Sequence, residues 1–123
     1  SNLKLDKSYR LAVYKSNISN DKSITTEYGH NTSVSKTRMD LTKKIKEAGF
    51  SLISTKDKDT IIQSDTFKNP SGHILYLSVI PQALHKDYVY DTSEIAKPYA
   101  KVDANKFDHE PTSYVTIKIS LGD

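Results

Sequence analysis

The stretch TSVSKTRMDLTKKIKEAGFSLIST, residues 32–55, decides the fold. Val34, Leu41, Ile45 and Ala48 recur at helical spacing and form one apolar stripe, with Thr37 and the stem of Arg38 at its margins. Thr32 or Ser33 supplies a side-chain oxygen that can accept from a free backbone N–H of the first turn. At the other end, Gly49 suits the left-handed position just past a helix. Phe50 is then placed to pack back on Ile45, as a Schellman ending requires. Lys43, Lys44 and Lys46 complement the negative end of the helix dipole. The spacing predicts one amphipathic helix over about residues 33–48 that drops directly into a strand.

Outward from that helix the chain is written in short strands. Residues 8–15 alternate and are rich in strand formers, which predicts a first strand. Residues 17–31 supply Asn, Ser, Asp, Thr and Gly and read as a polar connection. Residues 50–55 and 60–66 predict a hairpin closed by the charged turn from Lys56 through Asp57 and Lys58 to Asp59. Asn69 to Gly72 carries an Asn-Pro-Ser-Gly turn signal, and residues 73–80 form the next strand. Its run Ile74, Leu75, Tyr76, Leu77 predicts a central strand buried on both faces, stopped by Pro81. At the C-terminus Val115, Ile117, Ile119 and Leu121 face one way, and Thr116, Lys118 and Ser120 the other. That is a half-solvated antiparallel strand. In residues 82–112 the segment 88–90 reads as a short strand and 92–97 as one helical turn ended by Pro98.

The expected fold is a single α+β domain, an antiparallel sheet of about 4–6 strands with one helix across it, in the order β-α-β-β-β-β. That order resembles cystatin-like folds in succession of elements alone. The Gln-x-Val-x-Gly motif of true cystatins is absent, so the resemblance implies no inhibition of cysteine proteases.

At 123 residues the chain has the length of one domain. Ser1 and Asn2, with no initiator Met, resemble the scar of tag cleavage, which places the domain at residues 3–123. The expectation is a bacterial gene product cut after a signal peptide or anchor, and so an exported or envelope-facing domain; the rival is trimming of a disordered start in a cytoplasmic protein. The longest apolar run, residues 74–80, is too short for a membrane span. The absence of Cys removes thiol catalysis, disulfides and thiolate metal sites. The formal charge of +3 divides into +5 over residues 1–60 and −2 over residues 61–123. Sixteen of the eighteen basic residues are Lys. Lys is poorly suited to bidentate recognition of phosphate or bases, which argues against a nucleic-acid partner.

No motif for catalysis, nucleotide or metal stands out, so no catalytic residue, cofactor or metal is assigned. His109 and Glu110, with Asp108 and Asp103, are the densest set of potential ligands, yet neighbours on a strand point to opposite faces. Asp57-Lys-Asp59 begins like a calcium loop but lacks the following acid, the central Gly and the distal Glu. On the helix, Asp40 and Glu47 interlace with the lysines at i,i+3 and i,i+4, as on a solvated face. Met39 falls about 140° from Val34 on the helical wheel, off the apolar stripe.

The densest aromatic set is Tyr88, Tyr90, Tyr99 and Phe107, in a long irregular segment that also holds His85 and His109. Loop tyrosines supply rigid amphipathic contact area and are enriched at recognition surfaces. The reading that weighs more on these residues alone is that the same rings pin a long loop onto the sheet, with rings buried and hydroxyls wet. The expected function is nonetheless a non-catalytic interaction domain that captures another protein through these residues. The alternatives are a small-ligand or enzyme-like pocket between helix and sheet, with His85, Asp87 or His109 as its polar group, and an immunity- or antitoxin-type partner.

Overall fold

The computed structural model describes residues 3–17, 22–81 and 113–121. Within them the chain forms β1 (Tyr9–Asn17), β2 (Ser23–His30), α1 (Val34–Glu47), β3 (Ser51–Lys56), β4 (Ser64–Lys68), β5 (Ile74–Pro81) and β6 (Ser113–Ser120). The strands make one six-stranded sheet in the order β1-β2-β6-β5-β4-β3, antiparallel at every pairing. The sheet is thus a β1–β2 hairpin joined through β6 to a β3–β6 meander. Helix α1 carries the chain from β2 to the opposite edge at β3 and packs across one face.

The helix begins and ends as its sequence prescribes. Ser33 is the N-cap, its Oγ accepting from the Lys36 N–H at 3.2 Å. At the C-terminus, the Gly49 N–H donates to the Lys46 carbonyl and the Phe50 N–H to the Ile45 carbonyl. Gly49 sits at φ +99°. These are the two bonds of the Schellman motif. Val34, Leu41 and Ile45 are fully buried against Phe67, Leu75, Leu77, Val79, Val115 and Ile117 from the facing strands. Burial of each large side chain contributes about 1.5–3 kcal/mol, which is how the sheet holds a helix of only moderate length.

The register shows why those strand residues share a face. Leu75 opposes both Phe67 and Ile119, Leu77 opposes Ile117, and Val79 opposes Val115. The alternation expected for the last strand is therefore present, and β6 lies in the interior of the sheet rather than at an edge.

Three expectations are corrected. Residues 17–31 are not simply a polar connection, because β2 occupies Ser23–His30 and the order becomes β-β-α-β-β-β-β. Ile24, Thr25, Thr26 and Tyr28 are branched or aromatic, and such residues satisfy a half-buried strand between two neighbours despite their polar context. β5 is interior but not buried on both faces, since Tyr76 on the side away from the helix is 44% exposed. The second hairpin strand runs Ser64–Lys68 rather than over residues 60–66. Residues 57–63 instead build a turn in which the Thr60 N–H and hydroxyl both donate to the Asp57 carbonyl.

Candidate functional site

Side chains one helical turn apart point along the same flank, so α1 presents two polar flanks beside its buried stripe. One carries Thr37, Asp40 and Lys44; the other carries Ser35, Arg38, Met39 and Thr42.

The first flank is knotted to β1, β2 and the N-terminal segment. The Tyr9 ring stacks on His30 at 3.8 Å between centroids and 5° between planes. The Tyr9 hydroxyl donates to Asp40 Oδ2 at 2.6 Å. Lys44 Nζ joins Asp40 Oδ2 at 2.8 Å to Asp6 Oδ2 at 2.9 Å, and lies 5.1 Å from the centre of the Tyr9 ring. His30 Nδ1 lies 2.8 Å from Thr37 Oγ1, which is 2.9 Å from Ser113 Oγ, and His30 Nε2 lies 3.1 Å from Ser8 Oγ.

Aspartate, serine and histidine in sequence along a hydrogen-bonded chain invite a catalytic reading, but the proton order opposes it. Asp6 accepts from the Ser8 hydroxyl, so the hydroxyl proton is committed to the carboxylate. With that proton committed, a neutral His30 would donate to Ser8 Oγ from Nε2 and accept from Thr37 at Nδ1. A general base needs its lone pair aimed at the nucleophile's proton. In that tautomer it is aimed at the buried Thr37, and the cluster ties strand, helix and N-terminal segment together as a brace.

Its electrostatics agree. Burial holds the His30 imidazole below its ordinary value, against the smaller upward pull of Asp40 and Asp6. Burial and the bond to Asp40 push the Tyr9 hydroxyl up. The partial burial of Asp40 is outweighed by its bonds from Lys44 and Tyr9, which keep its carboxyl below the usual range.

The second flank is open. Between it and the β3–β4 hairpin runs a groove of about 370 Å³. Met39, Leu52 and Phe67 give it an apolar bed, and Arg38, Thr55, Gln63 and Asp65 bring polar groups to it. Arg38 donates from Nη2 to the Val79 carbonyl at 2.9 Å, which ties its head toward β5. Asp65 is buried at 4% exposure. It accepts from Thr55 Oγ1 at 2.8 Å and from Gln63 Nε2 at 3.0 Å and 3.1 Å. Gln63 Oε1 accepts from the Asp59 N–H at 2.8 Å, so the amide has one orientation. The turn that provides this N–H holds Asp57 and Asp59 at φ +51° and +66°, a conformation aspartate tolerates better than most residues.

Along the groove, β3 is an edge strand whose pairing with β4 shifts register between Leu52 and Ser54. Leu52 beside that bulge and Ile53 within it remain 45% and 54% exposed. Met39, off the apolar stripe, is 72% exposed at the groove's rim.

All six residues expected at a binding surface, Tyr88, Tyr90, Tyr99, Phe107, His85 and His109, lie outside the described residues, as do Asp87, Asp103, Asp108 and Glu110. What the structure adds is where that segment attaches. Pro81 pairs with Ser113, so residues 82–112 leave and re-enter the sheet at adjacent points of one hairpin. The groove residues escaped the sequence reading, apart from Arg38 and Met39 as helix-face positions. A signal existed in Asp65, a charged residue on the inward register of a strand otherwise alternating toward the core.

Among the described residues no helix is long and apolar enough to cross a membrane, and no three or more His, Cys, Asp or Glu gather as metal ligands. Comparison of the chain with protein-family models, characterised proteins and solved structures gave no match.

Proposed function

We propose that the protein is a binding domain whose ligand occupies the groove between α1 and the β3–β4 hairpin. The observation that carries this reading is the groove itself. Its volume of about 370 Å³ falls within the roughly 300–1,000 Å³ of small-molecule sites, which combine an apolar lining with a few convergent polar groups. Thr55 and Gln63 hold Asp65 in place from the protein side, so the polar end of the site is preorganised. A thermal-shift screen of small metabolites, repeated on Thr42→Trp, tests this. The indole would fill the groove from the helix side, and ligands stabilising the native chain should leave the variant's melting unchanged. Equal stabilisation of both would place the site elsewhere.

A second reading, capture of a protein partner through residues 82–112, is favoured by one observation. A connection of that length between directly paired strands exceeds what closing a hairpin requires. Replacing Tyr88 and Tyr90 by Ala should abolish capture of a stoichiometric partner while preserving the circular-dichroism spectrum. Persistent capture would remove this reading.

A further inference from the structure

We propose, resting on the groove reading above, that the ligand is a small aliphatic amine whose ammonium group takes Asp65 as its counter-ion and whose hydrocarbon lies on Met39, Leu52 and Phe67. Asp65 is the deeply buried charge of the groove, and its three hydrogen bonds all come from neutral donors. The ion pairs of Lys44 with Asp6 and Asp40 lie on the far flank of the helix and do not involve Asp65. A carboxylate removed from water in this way is costly unless a cation or further donors compensate it.

The hydrogen bonds divide unevenly between the two carboxylate oxygens. An ionised carboxylate offers about four acceptor positions. Oδ1 accepts from Thr55 and Gln63, whereas Oδ2 accepts from Gln63 alone. One acceptor position on Oδ2 suits a point donor such as an ammonium better than the two-pronged guanidinium fork. The other charged side chains along the groove are Arg38, Lys58 and Asp59. Arg38 is tied to the Val79 carbonyl, and Lys58 and Asp59 are exposed neighbours of opposite sign on the turn.

The same ammonium chemistry could come from a lysine side chain of another protein, but the edge argues for a free amine. An extended peptide reaching this groove would pair with β3, and the bulge at Leu52–Ser54 interrupts that edge.

The test is an NMR titration of the full chain near neutral pH with n-pentylamine, n-pentanol and pentanoate. Nα-acetyl-lysine N-methylamide represents a protein lysine. Pentylamine should shift the amides of Met39, Leu52 and Phe67 and bind about tenfold more tightly than pentanol, as a hydrogen bond to a charged group predicts. Pentanoate should bind most weakly. In Asp65→Asn the advantage of amine over alcohol should vanish while pentanol still binds. Should that variant fail to fold, the ratio of amine to alcohol on the native chain decides by itself.

Equal affinity for amine and alcohol, or preference for pentanoate, would overturn the amine while leaving the groove as a site. An amine preference that survives in folded Asp65→Asn would overturn Asp65 as the counter-ion. Tighter binding of the lysine amide than of pentylamine would overturn the free amine as occupant. If no probe perturbs the groove, the groove reading falls and the amine falls with it.

Discussion

On one flank of α1, Thr37, Asp40 and Lys44 are hydrogen-bonded to β1, β2, β6 and the N-terminal segment. On the other, Met39 and Thr42 border the groove toward β3 and β4, and Arg38 is bonded to the Val79 carbonyl of β5. Both flanks use similar residue types, and both bring a histidine or carboxylate against the same sheet. The difference lies in whether side-chain bonds bridge helix and sheet or a groove runs between them. On the closed flank both nitrogens of His30 have partners, the Tyr9 ring covers its face, and only 8% of the residue is exposed. Leu3 and Leu5 pack over Tyr28 and Ile119 beside it, leaving a gap of about 220 Å³. On the open flank Asp65 is equally buried but meets only neutral donors at the end of a larger groove. Residue type alone therefore does not mark a site. A closed network rigidifies the fold, and a buried carboxylate with neutral donors beside a cavity is where a cationic ligand can gain energy.

The sharpest way to break this contrast is to open the closed flank. Tyr9→Ala removes the ring on His30 and the bond to Asp40, and should cost about 3–5 kcal/mol by denaturant titration, the range for deleting a buried aromatic. Ligand binding in the groove should survive in the folded fraction. Thr37→Val keeps the shape but strips a hydroxyl from between His30 and Ser113, and should cost about 1–3 kcal/mol. A loss below that range would mean the brace contributes little.

A pH series separates the flanks without large structural change. The folded imidazole of His30 lies below its unfolded value of 6.5. Between those two values the unfolded chain binds more protons, so stability is present above pH 6.5 and is lost as pH falls toward the folded value. The slope in that window should reach at most ~1.4 kcal/mol per pH unit and should flatten in His30→Gln. The bonded carboxylates Asp6 and Asp40 act in a lower window, below 3.8, where protonation removes their contribution. An unchanged slope in His30→Gln would show that the histidine does not carry the effect. The smallest stability change belongs to the open flank: Thr42→Trp should stay within about 0.5 kcal/mol of the native chain, as for sites away from the packed core. A large loss there would mean the groove is packed rather than open.

How much of this was legible in the sequence varies with the range of the interaction that settles each element. The helix ends were legible because Ser33, Gly49 and Phe50 act on backbone groups within a few residues. The facing of β6 was legible because Val115, Ile117 and Ile119 alternate with polar residues on one strand. β2 was missed because Thr25, Thr26 and Glu27 are polar, and only pairing with β1 on one side and β6 on the other makes them a strand. Asp65 was passed over because its meaning depends on Thr55 across the hairpin and on the helix flank opposite. His30 read as a loop residue until Tyr9, Thr37 and Ser113 surrounded it.

The sequence by itself determined a capped amphipathic helix, the class α+β, and strands whose inner faces are apolar. Backbone geometry and side-chain periodicity over a few residues are sufficient for that. Only the tertiary structure decided that the last strand lies beside the second, that one flank of the helix is braced, and that the other borders a groove. Those outcomes depend on which distant side chains complete each hydrogen-bonding and packing shell, and that is settled only when the sheet closes beneath the helix.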